Sequence, residues 1–469
     1  MEKDIYEQLN PIFNAKSVAF IGASSIPGKW GYRVVQNAIK GGFRGLIFPV
    51  NPNGGEVHGI KVYKDVCEIV NDIDLAVFTI PAEHMPKAME SCIKKGIKGG
   101  VIISADFSET GEKGNLLEKE TVRIAQNGGL RFIGPNGMGI YASTAGLNLT
   151  FEEEPLPGHI VFISQSGTYG GNLARAAISK GFGLRTFVSL GNQADVTVAE
   201  LIEYFMTDAE TKVIVLYLEG LKNGRNFLEA ARKATRLKPI LVYKGGSTEQ
   251  GSRATMSHTA SIAGSDYIFD SVCRQAGIIR VKEIEHLFIM AEALINLPLP
   301  GGNRIAIIGS GGQGVVAVDS CAALGLNIPE LDAKSGLKIK EILPPHAPVP
   351  KNPVDFAGGS RTALEEARVA EKLATLDYID GIITNMPVNA FLNKSLGEVT
   401  RIAIEGAELL ADIPKKYKKP VVTMKFRDLS DNIIETILKS SGIPIYNTPE
   451  DCARAMHVLV KYAQILKQA

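Results

Sequence analysis

"KSVAFIGASSIPGKWG", residues 16–31, decides the fold. An apolar run with a β-branched start enters a turn carrying Gly22, Gly28 and Gly31, and a helical pattern leaves it. That is a strand–turn–helix unit, and the alternation recurs along the chain. Short apolar runs that end in Gly, Ser or Asn, each followed by a helical stretch, predict parallel sheets with crossover helices, an α/β fold. The runs fall into three blocks. The first holds "KSVAFIGAS", "GLIFPVNP", "DLAVFTIP", "GGVIISAD" and "LRFIGPN". The second holds "HIVFISQSG", "LRTFVSLGN", "KVIVLYLEG", "KPILVYKGG" and "GIIRV". The third holds "RIAIIGSGG", "NPVDF", "GIITNMP", "PVVTMKF" and "PIYN", closed by an amphipathic helix over 449–467. "LPLPGGN", 297–303, has the Pro/Gly content of a linker. The expected domains are 1–145, 146–297 and 298–469, the last two alike in layout.

Bulk properties narrow the function. A chain of 469 residues exceeds one hydrophobic core. Lys and Arg total 51 against 50 Asp and Glu, so no electrostatic ground exists for nucleic acid or an anionic membrane as partner. The N-terminus, "MEKDIYEQLNPIF", has acidic residues and no apolar core, so no signal peptide is expected. No stretch approaches the 18 or so uninterrupted apolar residues of a membrane span. The cysteines, Cys67, Cys92, Cys273, Cys321 and Cys452, are scattered and never in CxxC spacing. They read as free thiols of a reducing cytoplasm, and no metal site is expected.

In open parallel sheets, ligands bind beyond the carboxyl ends of the strands, so the strand-to-helix turns matter most. Three are glycine-rich. The first, "FIGASSIPGKWG", lacks the GxGxxG spacing of dinucleotide binders, and "FPVNPN" offers Asn51 where those proteins use an acid for the ribose. NAD is therefore disfavoured. The turn is either ligand-free or suited to another phosphate-bearing nucleotide such as coenzyme A. The second, "ISQSGTYGGN" (163–172), puts Ser166, Gly167 and Thr168 where a helix begins, a place that favours an anion. The third, "IGSGGQGVV" (308–316), has the same character across Ser310, Gly311, Gly312, Gln313 and Gly314. Either could be a capped helix against a close-packed strand. Two such turns in sister blocks suggest two helix N-termini that hold one phosphate. No P-loop, HExxH or GxSxG occurs.

One histidine stands apart. "SRATMSHTASIAG", 252–264, surrounds His258 with small residues and hydroxyls. It reads as a loop, and His258 is either a surface residue or a nucleophile. A metal ligand is disfavoured, because no second ligand stands at the right spacing. Neutral imidazole can attack phosphorus near pH 7 without prior deprotonation. Such a histidine needs a partner on its other nitrogen. Glu219, at the carboxyl end of "KVIVLYL", is the candidate. The alternative for Glu219 is an acid at the start of the helix beginning "LKNGRNF".

In order, "GASSIPGKWG", "GPNGMG", "SQSGTYGGN", "YLEGL" and "GSRATMSHTASIAG" resemble the α subunits of nucleoside-diphosphate-forming acyl-CoA synthetases, the superfamily that includes succinyl-CoA synthetase. The ADP-forming acetyl-CoA synthetases of archaeal type are the nearest resemblance, and it covers essentially the whole chain. It implies a Rossmann-like CoA-binding domain followed by two flavodoxin-like domains of succinyl-CoA-synthetase type. CoA would lie along Gly22, Ala23, Ser24, Gly28, Lys29 and Gly31, with Asn51, Pro52, Pro81, Ser104, Glu109 and Asn136 in the same crevice. His258 would carry the phosphoryl group and Glu219 would stabilise it. The turns at Ser166–Thr168 and 310–314 would hold the phosphate. The implied reaction turns acyl-CoA, ADP and phosphate into acid, CoA and ATP. A loop short of packing anchors would suit the swing that the resemblance implies for His258. The three blocks leave no room for an ATP-grasp domain. ADP/ATP and Mg²⁺ would then sit on a separate β subunit, in an α₂β₂ heterotetramer. A rival reading is a CoA-binding regulatory module without ligase activity, of the kind fused to protein acetyltransferases. No attached acetyltransferase domain is expected here.

Overall fold

The strand–turn–helix pattern folds into three parallel-type sheets. The computed structural model describes residues 4–253, 265–309, 311–358, 362–385, 396–425 and 433–468. These pack as two units, Met1–Ile284 and Glu285–Ala469.

In the first unit, β1 (Ser17–Ile21), β2 (Leu46–Val50), a small antiparallel ribbon of β3 (Glu56–Val57) and β4 (Ile60–Lys61), β5 (Leu75–Phe78), β6 (Gly99–Ile102) and β7 (Arg131–Ile133) follow in sequence. The five longer strands form a wholly parallel sheet in the order β2-β1-β5-β6-β7. Every position of β1 and β5 is buried, as expected for strands covered on both faces. A second sheet uses β8 (Ile140–Ala142), β9 (Leu147–Asn148), β10 (Pro157–Ser164), β11 (Leu184–Ser189), β12 (Val213–Leu218), β13 (Ile240–Lys244) and β14 (Ile279–Arg280). Its order is β14-β13-β12-β10-β11-β8-β9. The strands from β14 to β11 are parallel, and β8 and β9 add an antiparallel edge.

The N-terminal stretch is more than a polar leader. Ile5–Phe13 is a helix whose Leu9, Ile12 and Phe13 are buried in a core shared by both sheets. The Phe13 ring lies 5.0 Å from that of Tyr204 and 4.9 Å from that of Phe205. Arg131 at the start of β7 ties the sheets together. Its Nε donates to Asp195 at 2.9 Å and its Nη2 to Glu200 at 2.6 Å. Asp195 also accepts the Phe132 N–H at 2.9 Å. Burial pushes the Asp195 carboxyl up, opposed by the Arg131 charge.

The second unit carries β15 (Ile305–Ile307), β16 (Gly381–Asn385), β17 (Val421–Met424) and β18 (Ile445–Tyr446), parallel and in that order. The expected strand "NPVDF" adds only one bridge, Ile308 with Val354. Pro353 has no N–H to extend a ladder. The Asn352 side chain substitutes for it, accepting from Ile307 N–H and donating to the Ile305 and Pro329 carbonyls, each at 3.0 Å. The final helix, Pro449–Gln468, buries Cys452, Ala455, Met456 and Leu459. Among the described residues, no helix is long and apolar enough to cross a membrane.

Candidate functional site

The carboxyl ends of both sheets in the first unit open on one cavity of about 1020 Å³. Its walls include the segments after β5, β6 and β7 from the first sheet and after β10, β11 and β12 from the second. Among the sequence candidates, Pro81, Ser104, Asn136, Ser166, Gly167, Thr168 and Glu219 line it. His258 and Ser310 lie outside the described residues.

The first turn is built by close packing. Gly22 has φ +94°, and a Cβ there would meet Ile80 Cγ2 at 2.7 Å. A Cβ on Gly31 would lie 2.0 Å from the Gly22 carbonyl oxygen. Only glycine lets the strand, the turn and the helix Trp30–Lys40 approach this closely. Asn51 braces the turn, donating from Nδ2 to the Ala23 carbonyl at 2.9 Å. The Ser24 hydroxyl accepts the Ile26 N–H. Lys29 is the N-cap residue and its side chain makes no capping bond. Gly22, Ala23, Ser24, Gly28, Lys29, Gly31, Asn51 and Pro52 are not among the residues that line the cavity, whereas Trp30 is. Glu109 is largely taken up by the chain itself. Its carboxylate accepts Asp106 N–H at 2.7 Å, Phe107 N–H at 3.2 Å and Asn192 Nδ2 at 2.6 Å.

The second turn opens directly on the cavity. The helix Gly167–Ser179 starts at Ser166, whose side chain makes no capping bond. The first intrahelical bond runs from Gly170 N–H to the Ser166 carbonyl. The positive end of the helix dipole therefore faces the cavity without a side-chain cap, a seat for an anion. Gly170 is required by packing, since its Cβ would fall 2.0 Å from Ser164 Oγ.

Glu219 is 6% exposed and held by its backbone. Gln165 Oε1 accepts the N–H of Glu219 at 2.8 Å and of Gly220 at 3.0 Å. The Tyr217 hydroxyl reaches Glu219 Oε1 at 3.4 Å. Burial first, and then Glu219, push the Tyr217 phenol up. Glu219 Oε2 is buried with no hydrogen-bond partner among the described residues. The helix-start alternative falls, because the next helix, Gly224–Ala234, is capped by Asn223, which accepts from Arg225 and Asn226 N–H at 3.1 Å. A buried carboxylate with one open oxygen can orient a histidine or hold a proton.

Several wall residues had no sequence signal. Gln165 positions Glu219, and Asn192 Nδ2 meets Ser108, Glu109 and Glu118. Lys222 Nζ lies 4.0 Å from Glu118 Oε1, and burial lowers its pKa. Nothing in a single Gln or Asn marks such a role; the pairing is long-range. In the second unit, the helix Gly312–Ala323 begins at Gly311, φ +52°. There the Gly311 N–H donates to Asp355 Oδ2 at 3.3 Å, so a carboxylate already attends that turn. Gln313 Oε1 is buried without a partner among the described residues. No cluster of three or more His, Cys, Asp or Glu able to hold a metal occurs among the described residues.

Residues 16–143 match the family of CoA binding domains, and residues 157–294 match the family described as the succinyl-CoA ligase like flavodoxin domain. Over 459 residues the chain is 39% identical to the α subunit of acetate–CoA ligase (ADP-forming) II of Pyrococcus furiosus, covering 97% of this chain and 98% of that one. It is 31% identical to the 4-hydroxybutyrate–CoA ligase (ADP-forming) of Nitrosopumilus maritimus, covering 98% of this chain and 65% of that one. Among solved structures it is similar to acetyl-coenzyme A synthetase 1 of Ca. Korarchaeum cryptofilum in complex with phosphate and ADP. That match has a TM-score of 0.86 and 33% identity, and covers 98% and 97% of the two chains.

Proposed function

Because the chain belongs to the family of ADP-forming acetate–CoA ligase α subunits, we propose that it carries out the acyl-CoA half of the reaction acyl-CoA + ADP + phosphate ⇌ acid + CoA + ATP. Acetyl is the leading acyl group, although relatives with other acyl names leave the group open. Phosphate displaces CoA from the thioester to give an acyl phosphate. His258 then attacks phosphorus: the N–P bond forms and the free acid leaves. The Glu219 carboxylate accepts the N–H of the other ring nitrogen, fixing the tautomer and sharing the positive charge that forms. The N-terminus at Ser166–Thr168 holds phosphoryl oxygens, and the turn at 310–314 is a phosphate seat within the second unit. CoA follows the turn from Gly22 to Gly31 and the crevice at Pro81, Ser104 and Asn136. The domain limits stay at 1–145, 146–297 and 298–469. ADP/ATP and Mg²⁺ belong to a separate ATP-grasp β subunit in an α₂β₂ assembly in the cytoplasm.

The observation that carries this reading is Glu219 Oε2, buried at the cavity wall with no partner among the described residues. A CoA-binding regulatory module would have no use for such an acid. The test is phosphorylation by acetyl-CoA and labelled phosphate without any partner. An acid-labile, base-stable label is expected in the native chain and none in His258→Ala. Full label in that variant, or full turnover with the β subunit present, would overturn the assignment.

A further inference from the structure

Lys244, the last residue of β13, is the one buried lysine among the described residues, at 4% exposure. It pairs in register with Leu218, the residue before Glu219. Its Nζ donates to the Glu219 carbonyl at 2.7 Å and to the Gly245 carbonyl at 2.6 Å. Burying an ammonium is costly, and two carbonyls compensate only part of that cost. Two carboxylates act on it, Asp266 and Glu219; Asp266 is paired with Arg280 at 2.5 Å. No ion pair to Lys244 forms among the described residues. An apolar side chain would fill the same space at lower cost, so the charge calls for a use.

The neighbours suggest one. Gly245 packs directly on the acid, because a Cβ there would lie 2.9 Å from the Tyr217 hydroxyl and 3.5 Å from Glu219 Cγ. Gly245 opens the segment that leads to His258. One ammonium thus grips the backbone of the acid and the root of that segment together. With Gln165 on the Glu219 N–H and Lys244 on its carbonyl, both sides of that residue's backbone are held.

We propose that Lys244 is a positioning residue for phosphoryl transfer. Clamped on the Glu219 and Gly245 carbonyls, it fixes the direction of the open Glu219 oxygen and the start of the histidine segment. Its charge offsets the negative charge that gathers when a phosphoryl group arrives beside that carboxylate. The proposal rests on the functional reading above. The groups that face this pair are Tyr217 near the end of β12, two residues before Glu219, Tyr169 from the helix Gly167–Ser179, whose ring meets that of Tyr217 edge-on, and Asp266 and Arg280 near Lys244.

The test compares Lys244→Gln, which keeps a donor but no charge, with Lys244→Arg, which keeps both. Labelling by acetyl-CoA and phosphate is followed against pH, together with CoA affinity by calorimetry. Lys244→Gln should label about tenfold or more slowly with CoA affinity within about twofold of native. The acid limb of its pH–rate profile should move to higher pH, because removing a cation beside a carboxylate favours the protonated acid. Lys244→Arg should restore the native limb and most of the rate. Native labelling and an unmoved limb in Lys244→Gln would overturn the proposal, as would loss of CoA affinity in step with rate. Should Lys244→Gln not fold, the limb of Lys244→Arg decides: native supports the proposal, shifted overturns it. If the native chain takes no label, or the label survives His258→Ala, the functional reading fails first. If the native chain labels and Lys244→Gln labels equally fast, only the role of Lys244 fails.

Discussion

The glycine turns at 163–172 and 308–316 look like copies in sequence, yet their surroundings differ in charge. At the first, the Ser166 side chain makes no capping bond, and the same cavity holds Glu219 with one oxygen that has no partner among the described residues. At the second, the Gly311 N–H already meets the Asp355 carboxylate at 3.3 Å, and that carboxylate also accepts Ala357 N–H at 2.9 Å. A glycine-rich turn announces a helix N-terminus. Whether that terminus is free for an anion depends on which side chain the rest of the fold brings there.

The comparison can be broken most strongly at the acid of the first turn. Glu219→Gln should slow phosphorylation on the order of 100-fold while leaving CoA affinity nearly native, the low end for a positioned acid–base group. Loss of CoA affinity instead would move Glu219 out of the phosphoryl site. Next comes packing beneath the same turn. Gly170→Ala, with its Cβ 2.0 Å from the buried Ser164 hydroxyl, should cost about 1–3 kcal/mol by urea unfolding. A neutral result would mean that the helix start can shift and is not a rigid seat.

The second unit has a strained acid of its own, away from its turn. Burial raises the Glu292 pKa from 4.5 to about 6, against the opposing effects of Tyr446 and Lys439. A raised carboxyl favours the protonated folded state. Its contribution is therefore present below about pH 4.5 and lost as pH rises through 6. Glu292→Gln should raise stability at pH 7.5 by about 1–2 kcal/mol and flatten that pH dependence in urea melts at several pH values. An unchanged profile would show that Glu292 does not titrate there. The smallest effect is expected at Asp355. Asp355→Asn should let phosphate raise the melting temperature more than in the native chain, since a charge at a helix start is worth about 0.3–1 kcal/mol. An equal response would mean that Asp355 does not oppose an anion at the second turn.

Much of the architecture was legible because period and punctuation are local. The runs from "KSVAFIG" to "LRFIGPN" became the five-stranded sheet. Other features were not legible. The first helix looked polar because Leu9, Ile12 and Phe13 are spaced along one face among charged and amide residues. Their partners, Tyr204 and Phe205, lie about 190 residues away. Glu109 read as a ligand contact; in the structure its carboxylate accepts Asp106 and Phe107 N–H from its own turn and also Asn192 Nδ2, 83 residues away, a partner only the tertiary fold supplies. The strand expected at "NPVDF" shrank to one bridge for a local reason, the missing N–H of Pro353.

By itself, then, the sequence determined the alternation of strand, glycine turn and helix and the near-neutral charge, and it supplied His258 and Glu219 as the candidates of the proposed chemistry. These follow from side-chain period and functional-group chemistry, which each residue carries with it. Only the tertiary structure decided that Glu219 keeps one oxygen without a partner among the described residues and that Gln165 and Lys244 hold its backbone from both sides. It also decided that Asp355 attends one turn and not the other. Those are matters of burial and hydrogen-bond satisfaction, set by partners far apart in the chain that no local pattern records.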